Sequence, residues 1–327
     1  MSRLAGILVK NIIKTVSILF AVSIITFILV NASPVEPVQQ YILNMGSAVS
    51  QEQREEIEEY WGVDEPPAQR YVNWISGVAR GDLGESSLYR RPVADIISER
   101  FLNSLALMIS SWILSGVIGF VLGCVMGMNR NALSDKIIKK ICYTLSSIPA
   151  FWLGLVFLIV FSVWLGWFPI GFSSPIGVLS SDVTIWQKIY HLILPALTLS
   201  FVSFSNIALH TRQKLIDVLN SDYVLFARAR GESEWSILKR HGLRNILIPA
   251  LTLQFASFAE LFGGSVLVEN VFSYPGLGSA VAAAGLNSDV PLLLGITLFS
   301  TLFVCVGNMI ADMLYGVVDP RIREVRE

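Results

Sequence analysis

Long apolar runs with at most one charged residue each alternate with charged segments along the chain. Six runs are present, at about residues 12–32, 103–128, 141–165, 192–210, 246–268 and 291–317. A hydrocarbon core about 30 Å thick is crossed by roughly 20 apolar residues in a helix, whereas a spanning strand has about ten alternating ones. The pattern therefore predicts an all-α integral membrane protein with six transmembrane helices.

The first run has two interpretations. Arg3, Lys10 and Lys14 precede its apolar core, and residues 30–32 (VNA) resemble the small-residue cleavage site of a secretory signal. A cleaved signal would leave five spans. The apolar stretch is longer than a usual signal core, which favours a retained anchor.

Lysine and arginine are distributed unevenly between the segments that join the runs. Seventeen of the 24 lie in the N-terminal segment, near residues 130–140, in the loop 211–245 and in the C-terminal tail. Because short cytoplasmic segments carry the excess of positive charge, both termini are predicted to be cytoplasmic. The predicted parts are an N-terminus with the first helix, an extracytoplasmic domain, a transmembrane core and a cytoplasmic tail, at residues 1–32, 33–100, 101–317 and 318–327.

The predicted extracytoplasmic domain carries 12 acidic and 6 basic residues. Residues 51–60 have the composition of a charged surface helix, and Pro92 is suited to open a second helix. Val93, Ile96 and Ile97 would share one face of that helix. The domain is either a cap on the outer ends of the helices or a docking surface for an extracytoplasmic partner.

Composition narrows the classes of function. Hydrophobic residues make up 53% of the chain and charged residues 15%, against about 25% charged in soluble domains. A formal net charge of −1 gives no basic excess for a nucleic-acid partner.

Cys124, Cys142 and Cys305 are isolated in apolar stretches, and the three histidines show no pair at helical spacing, so no metal site is predicted. The motifs of zinc proteases, serine hydrolases and P-loop ATPases are missing from the sequence, so no enzyme is predicted.

The loop 211–245 is long enough to form structure of its own. Ser221 and Asp222 are good helix caps, and Gly231 suits the left-handed residue that ends a helix. Ser233 can cap a second helix that continues into the fifth run. A short helix followed by a glycine hinge is therefore predicted on the cytoplasmic side.

This loop resembles the cytoplasmic signature loop of bacterial ABC-transporter permeases, in the form used by the dipeptide, oligopeptide and nickel permease family. The resemblance rests on DYVLFARARG, LKRHGLRNILIPALT, YWGVDEPPAQRYVNW, ARGDLGESS, RRPVADIISER, SSIPAFWLGL, HLILPALTLS, VENVFSYPGLG and DPRIR. The resemblance spans nearly all 327 residues. Of the two non-identical permeases in such importers, the chain resembles the first. Two departures are visible: residues 225–227 read LFA where the general signature has Glu-Ala-Ala, and residues 33–37 read SPVEP where the subfamily often has Pro-Gly-Asp-Pro.

The resemblance implies a coupling helix that sits in a groove of a separate ATP-hydrolysing subunit. The residues expected at this contact are Asp222, Tyr223, Ala227, Arg228, Ala229, Arg230, Gly231, Arg240, His241 and Arg244. Small side chains would permit close approach, and arginines could pair with acidic groove residues. Without the resemblance, the loop is equally well interpreted as a solvated basic segment that obeys the charge rule.

Two acidic residues lie within apolar runs, where a charge costs at least roughly 2.5 kcal/mol. Glu260 is near the middle of the fifth run, and Asp312 is in the sixth, one turn after Asn308. Either these residues line a translocation path and meet a metal cation or the positive end of a peptide, or they hold the bundle together by hydrogen bonds between helices.

The segment after the fifth run contains Phe272, Tyr274, Pro275 and Gly276. Aromatic residues are typical of the membrane interface, so an extracytoplasmic turn is predicted here. The resemblance implies that the turn is a gate or a contact for a receptor.

Sequence and resemblance together predict the permease subunit of an ATP-driven importer, a multi-pass protein of a bacterial or archaeal inner membrane. The resemblance implies a second homologous permease, two ATPase subunits that bind ATP and Mg²⁺, and a solute-binding protein, with no cofactor bound by this chain. It admits dipeptides, oligopeptides and nickel or other metal chelates as cargo. A secondary transporter or a non-transporting assembly subunit is the alternative, although the sequence shows no clear internal repeat of the kind common in secondary transporters.

Overall fold

The computed structural model describes residues 2–32, 50, 65–179 and 182–318, with side chains except at residues 2–8, 312 and 314–318. This part forms helices and turns, with one isolated antiparallel bridge between Glu85 and Pro92. The helices are α1 (Ser2–Asn31), α2 (Pro67–Ala79), α3 (Val93–Met128), α4 (Leu133–Ser147), α5 (Ala150–Phe157), α6 (Ile185–Leu219), α7 (Asp222–Ala229), α8 (Glu234–Ile237), α9 (Leu243–Val271), α10 (Leu277–Leu286) and α11 (Val290–Val318). The helix predicted at residues 51–60 lies outside the described residues, as does the tail from residue 319 onward.

The described part contains five helical stretches long and apolar enough to cross a membrane. They lie in α1, α3, α6, α8 with α9, and α11. A sixth crossing would consist of α4 with α5 and its π-helical extension, which together pass the same test but meet at an angle of 109°. The prediction of a helical membrane protein is confirmed. The run predicted at residues 141–165 is divided between the end of α4 and α5 with its π-helical extension, so it is not one continuous helix.

The break between α4 and α5 has a local cause. Ile148 is extended, at φ −90° and ψ 130°, because the residue before a proline is sterically disfavoured in the helical region. Pro149 then provides the N-cap of α5. The hydroxyls of Ser146 and Ser147 both donate to the carbonyl of Tyr143, at 3.0 and 2.9 Å, and satisfy an acceptor near the end of α4.

The first of two compact units comprises residues 1–103 and 275–306. As predicted, Val93, Ile96 and Ile97 share one face at the start of α3, and all three are buried. The start of α11 lies against this face, because a Cβ built on Gly295 would be 2.6 Å from Cγ1 of Val93. Glycine at this position therefore permits the two helices to approach closely.

A buried carboxylate holds the loop before α3 in the same unit. Asp289 accepts hydrogen bonds from the hydroxyl of Ser86 at 2.5 Å and from the N–H of Leu88 at 3.0 Å. It also accepts from the N–H of Leu292 at 3.2 Å, in the first turn of α11. The loop is thereby fixed to the start of the last helix.

The second unit comprises residues 104–274 and 307–327. Here Gly119, Gly123 and Gly127 form a stripe on α3 that lies against α6. A Cβ built on Gly123 would be 2.6 Å from Cβ of Thr211 and 2.7 Å from the carbonyl oxygen of Ala208. The backbones of the two helices are therefore too close for any larger residue.

We expect Gly123→Ala to destabilise the folded chain by about 1–3 kcal/mol, because the added methyl group overpacks the contact between α3 and α6. The matched control is Gly263→Ala in α9, where an added Cβ would meet no atom within 4 Å. Unfolding of both purified variants in detergent, titrated with dodecyl sulfate, measures the effect. Equal stability of the two variants would show that the close approach is not formed.

Candidate functional site

Residues 220–242 connect α6 to α9 and are called the interhelical segment below. As predicted, a helix, α7, begins after Ser221 and ends before Gly231, where φ is +83°. The hydroxyl of Ser233 accepts a hydrogen bond from the N–H of Ser236 at 3.3 Å and caps α8. The hydroxyl of Ser221 donates instead to a carbonyl of α6, at 2.5 Å. Both short helices thus begin after the predicted serines, although only Ser233 caps with its side chain, and α7 ends before Gly231 as predicted.

One face of α7 packs against the long helices. Its buried residues, Val224 and Ala227, belong to a hydrophobic cluster whose other buried members are Leu215, Leu219, Ile237, Leu238 and Ile246. These residues come from the end of α6, from α8 with its π-helical extension, and from the start of α9. The small side chain of Ala227 therefore serves packing within the chain, and α7 is fixed to both α6 and α9.

The opposite face of α7 is also apolar but is not covered. Leu225 is 66% exposed and Phe226 is 73% exposed. Neither is predicted as a contact residue from the sequence, although helical periodicity places both opposite Val224 and Ala227. An apolar surface of this kind is typical of a protein interaction site. Eight of the ten predicted contact residues are exposed as well: Asp222, Tyr223, Arg228, Ala229, Arg230, Gly231, Arg240 and Arg244.

Two of the three arginines of the interhelical segment form ion pairs within it. Arg228 donates to both carboxylate oxygens of Glu234, at 2.9 and 3.1 Å. Arg230 donates to Glu232 at 2.7 Å, and this hydrogen bond lowers the pKa of Glu232 below its ordinary value. Nε2 of His241 lies 3.8 Å from the same carboxylate. These charges therefore shape the turn around Gly231.

A buried ion pair fixes α6 one turn before the cluster. Asp135 accepts hydrogen bonds from Nε and Nη2 of Arg212, at 2.6 and 2.7 Å. The carboxylate also accepts at 2.8 Å from the N–H of Asn131, which has a left-handed φ of 65° in the turn before α4. The pair is not predicted from the sequence, because 77 positions separate its members. The one feature of the sequence that could have drawn attention to Asp135 is that it is the single acidic residue among residues 130–140.

The predicted path residues lie on two helices. Glu260 is exposed on α9 and Asn308 is exposed on α11, and neither forms a hydrogen bond or ion pair with a described residue. Asp312 lies in α11, but its side chain is outside the described residues. A further acid, Glu269, is fully buried and accepts a hydrogen bond from Ser104 at 2.7 Å. It falls one residue beyond the predicted fifth run, so the search for acids within the runs does not find it.

The predicted gate segment is largely buried. The carbonyl of Phe272 accepts from the N–H of Phe172 at 2.9 Å, and both Phe272 and Tyr274 are buried. Burial raises the pKa of Tyr274 to about 12, so its hydroxyl is neutral at physiological pH. Pro275 is half-buried, and Gly276 is the buried N-cap residue of α10, a helix not predicted from the sequence.

Metal coordination has no candidate site in the described part. No group of three or more His, Cys, Asp or Glu side chains there could hold a metal ion. The features left for function are the uncovered apolar face of α7 and the exposed polar residues on the long helices.

The sequence matches two protein families, and both consist of membrane components of binding-protein-dependent transport systems. Residues 119–324 match the family described as binding-protein-dependent transport system inner membrane component. Residues 4–108 match the family described as the N-terminal part of such membrane components.

Individual proteins are similar along nearly the whole chain. The oligopeptide transport system permease protein AppB of Bacillus subtilis (strain 168) is 36% identical over 98% of this chain and 99% of the relative. The glutathione transport system permease protein GsiC of Escherichia coli (strain K12) is 36% identical over 96% of this chain and 98% of the relative. A solved structure, the MetNI methionine ABC transporter in inward-facing conformations, matches with a TM-score of 0.54 at 18% identity over 68% of this chain and 96% of the matched chain. That match establishes similarity of fold alone.

We expect Asp135→Asn to destabilise the chain by about 3 kcal/mol, because it leaves the guanidinium of Arg212 without its charged partner in a buried site. The Asp135 side chain is 1% exposed and that of Arg212 is 14% exposed. The exposed pair of Arg91 and Glu99, at 52% and 59%, provides the control Glu99→Gln, which should cost about 1 kcal/mol or less. Unfolding in detergent compares the two. A loss no larger than that of the control would contradict a structural role for the pair.

Proposed function

The chain belongs to the family of binding-protein-dependent transport system inner membrane components, and on this premise we propose that it is the permease subunit of an ATP-driven peptide importer. It is a multi-pass protein of the inner membrane. It acts with a second homologous permease, two ATPase subunits that bind ATP and Mg²⁺, and a solute-binding protein that delivers the cargo. The path runs between the two permeases, and this chain performs no chemistry of its own.

The observation that carries the proposal is similarity along nearly the whole chain to two peptide permeases. AppB is named for oligopeptides, and GsiC is named for glutathione, which is a tripeptide. Both share 36% of aligned residues with this chain. We therefore propose peptides as cargo ahead of nickel or other metal chelates.

The distribution of basic residues supports an orientation for the interhelical segment. With the positive charge concentrated inside, this segment and both termini face the cytoplasm, where the ATPase subunits are. The gate segment around Phe272 and Tyr274 then faces outward, toward the solute-binding protein.

The uncovered face of α7 supports a specific form of coupling. Leu225 and Phe226 insert into an apolar groove of an ATPase subunit, where burying each contributes about 1.5–3 kcal/mol. Because Val224 and Ala227 are packed against α6 and α9, a displacement of α7 moves both long helices. Closure of the ATPases around ATP is thereby converted into a change in the helix bundle.

Glu260 supports a polar path through the bilayer. It has no partner among the described residues, and an isolated carboxylate in hydrocarbon is unfavourable. We infer that it faces the path and attracts the protonated amino terminus of the peptide. Asn308 and Asp312 on α11 are proposed to line the same path.

The function is tested by reconstituting the chain in proteoliposomes with the permease, ATPase and binding-protein subunits encoded beside it. We expect uptake of a radiolabelled oligopeptide that requires ATP, and no uptake of a nickel chelate under the same conditions. Proteoliposomes without ATP but with an imposed proton or sodium gradient are the control. Uptake driven by the gradient alone would overturn the proposal, as would the absence of peptide uptake under every condition.

We expect Gly231→Val to uncouple ATP hydrolysis from transport without preventing membrane insertion. A branched side chain at φ +83° costs about 1–2 kcal/mol, which displaces the end of α7 and should lower peptide-stimulated ATPase activity about tenfold. The matched control is Gly177→Val in the loop between α5 and α6, at φ +85°, because both glycines have open space around the position of a Cβ.

The control variant should keep peptide-stimulated ATPase activity close to that of the wild type. Normal stimulation in Gly231→Val, or equal loss in both variants, would contradict the assignment of this glycine to the coupling contact.

A further inference from the structure

Polar side chains in the long helices of the second unit are mostly satisfied within the chain. The hydroxyl of Ser111 donates to the carbonyl of Leu107 at 2.7 Å. The amide of Gln254 donates to the carbonyl of Trp112 at 2.5 Å, and the indole N–H of Trp112 donates back to the carbonyl of Gln254 at 2.8 Å. Such pairing is required where no water is present. Exposed polar side chains that lack such pairing therefore require an environment other than lipid.

Four polar residues near the inner end of the predicted fourth run lack such pairing, and two of them, Ser205 and Thr211, are buried. The other two are exposed. Asn206 and His210 are exposed, and neither forms a hydrogen bond or ion pair with a described residue. From residue 191 to residue 205, no position of α6 is exposed. The two positions at which α6 next emerges from the bundle are thus both polar, and they lie one turn apart on one face.

Asn206 and His210 lie at membrane depths that extend the path proposed at Glu260 toward the cytoplasm. The runs at 192–210 and 246–268 are consecutive antiparallel spans, and a helix rises about 1.5 Å per residue. Glu260 then lies roughly 4 Å to the outer side of the membrane centre, and Asn206 roughly 7 Å to the inner side. His210 follows roughly 6 Å further toward the cytoplasm. The three residues therefore extend from just outside the membrane centre to near its cytoplasmic boundary, in steps that an extended peptide can bridge.

We propose that Asn206 and His210 line the translocation path on the cytoplasmic side of Glu260 and bind the backbone of a passing peptide. This inference rests on the proposed function and adds two residues and a mode of recognition to it. An asparagine amide both donates and accepts, and an imidazole does so through its two nitrogens, so each matches the N–H and C=O groups of any peptide. Recognition through the backbone is independent of the peptide's side chains. Lipid cannot satisfy these groups.

The proposal is tested by water access to single cysteines. Cys124, Cys142 and Cys305 are first replaced by serine, and the resulting complex must retain uptake. Asn206→Cys, His210→Cys and Glu260→Cys are then labelled in the assembled complex with a membrane-impermeant, positively charged methanethiosulfonate applied from both sides. Val117→Cys is the matched control, because Val117 is 59% exposed on the apolar face of α3 near mid-membrane.

Because the thiolate is the reactive form and requires solvation, we expect Asn206→Cys and His210→Cys to be labelled about tenfold or more faster than Val117→Cys. Addition of an oligopeptide with ATP should slow this labelling but leave the control unchanged. Labelling no faster than that of the control would overturn the inference. Labelling that occurs in the isolated chain but is lost in the complex would also overturn it, by assigning the two residues to the contact with the second permease.

Substitution separates this inference from the proposed function. We expect Asn206→Leu to reduce peptide uptake at least about tenfold, equivalent to one lost hydrogen bond of about 1.4 kcal/mol, while Asn206→Gln retains uptake. If the complex transports peptide but Asn206→Leu does so normally, the backbone-binding role is wrong and the importer function stands. If no variant and no wild-type complex transports peptide, the function itself fails, and labelling still decides whether the two positions face water.

Discussion

The hydrocarbon core of a membrane offers no water to a polar group, and the structure depends on this constraint. The backbone meets it by forming helices wherever the chain crosses. Within the second unit, Gln254 and Trp112 satisfy each other between α9 and α3, and the buried carboxylate of Glu269 accepts from Ser104. Once such pairs are accounted for, the exposed polar side chains still without partners in the described part are those for which lipid is an unfavourable neighbour.

The same constraint changes what holds helices together. Lipid tails are as apolar as leucine, so burial of apolar surface between helices contributes little, and close packing becomes more important. The glycines at 119, 123 and 127 give α3 that close packing against α6. Close packing alone does not stabilise a charged residue such as Arg212 in this environment. Its charge is instead paired with that of Asp135 from α4. Helix α6 is thus fixed to α3, α4 and, through its final turns, α7. In the proposed coupling, α6 together with α9 carries a displacement of α7 to the bundle.

Features encoded by neighbouring residues are predictable from the sequence, and features encoded by distant residues are not. The ends of α7 follow from Ser221 and Gly231, and the buried face at the start of α3 follows from the spacing of its apolar residues. The break before Pro149 is also local, but hydropathy averaged over a run conceals it. By contrast, Ser104 and Glu269 are 165 positions apart. Their pairing depends on how whole helices pack, which no local pattern specifies.

The interhelical segment shows how tertiary structure changes the meaning of a charged sequence. Its arginines resemble a surface prepared for an acidic partner, yet Arg228 and Arg230 are bonded to Glu234 and Glu232. An isolated helix of eight residues is marginal in water, so α7 depends on the cluster behind it for its stability. Its uncovered face, Leu225 and Phe226, is in turn more stable when a partner removes it from water. In the proposed coupling, the charges orient α7 and its apolar residues supply the contact, so a partner that binds Leu225 and Phe226 need not desolvate an unpaired charge.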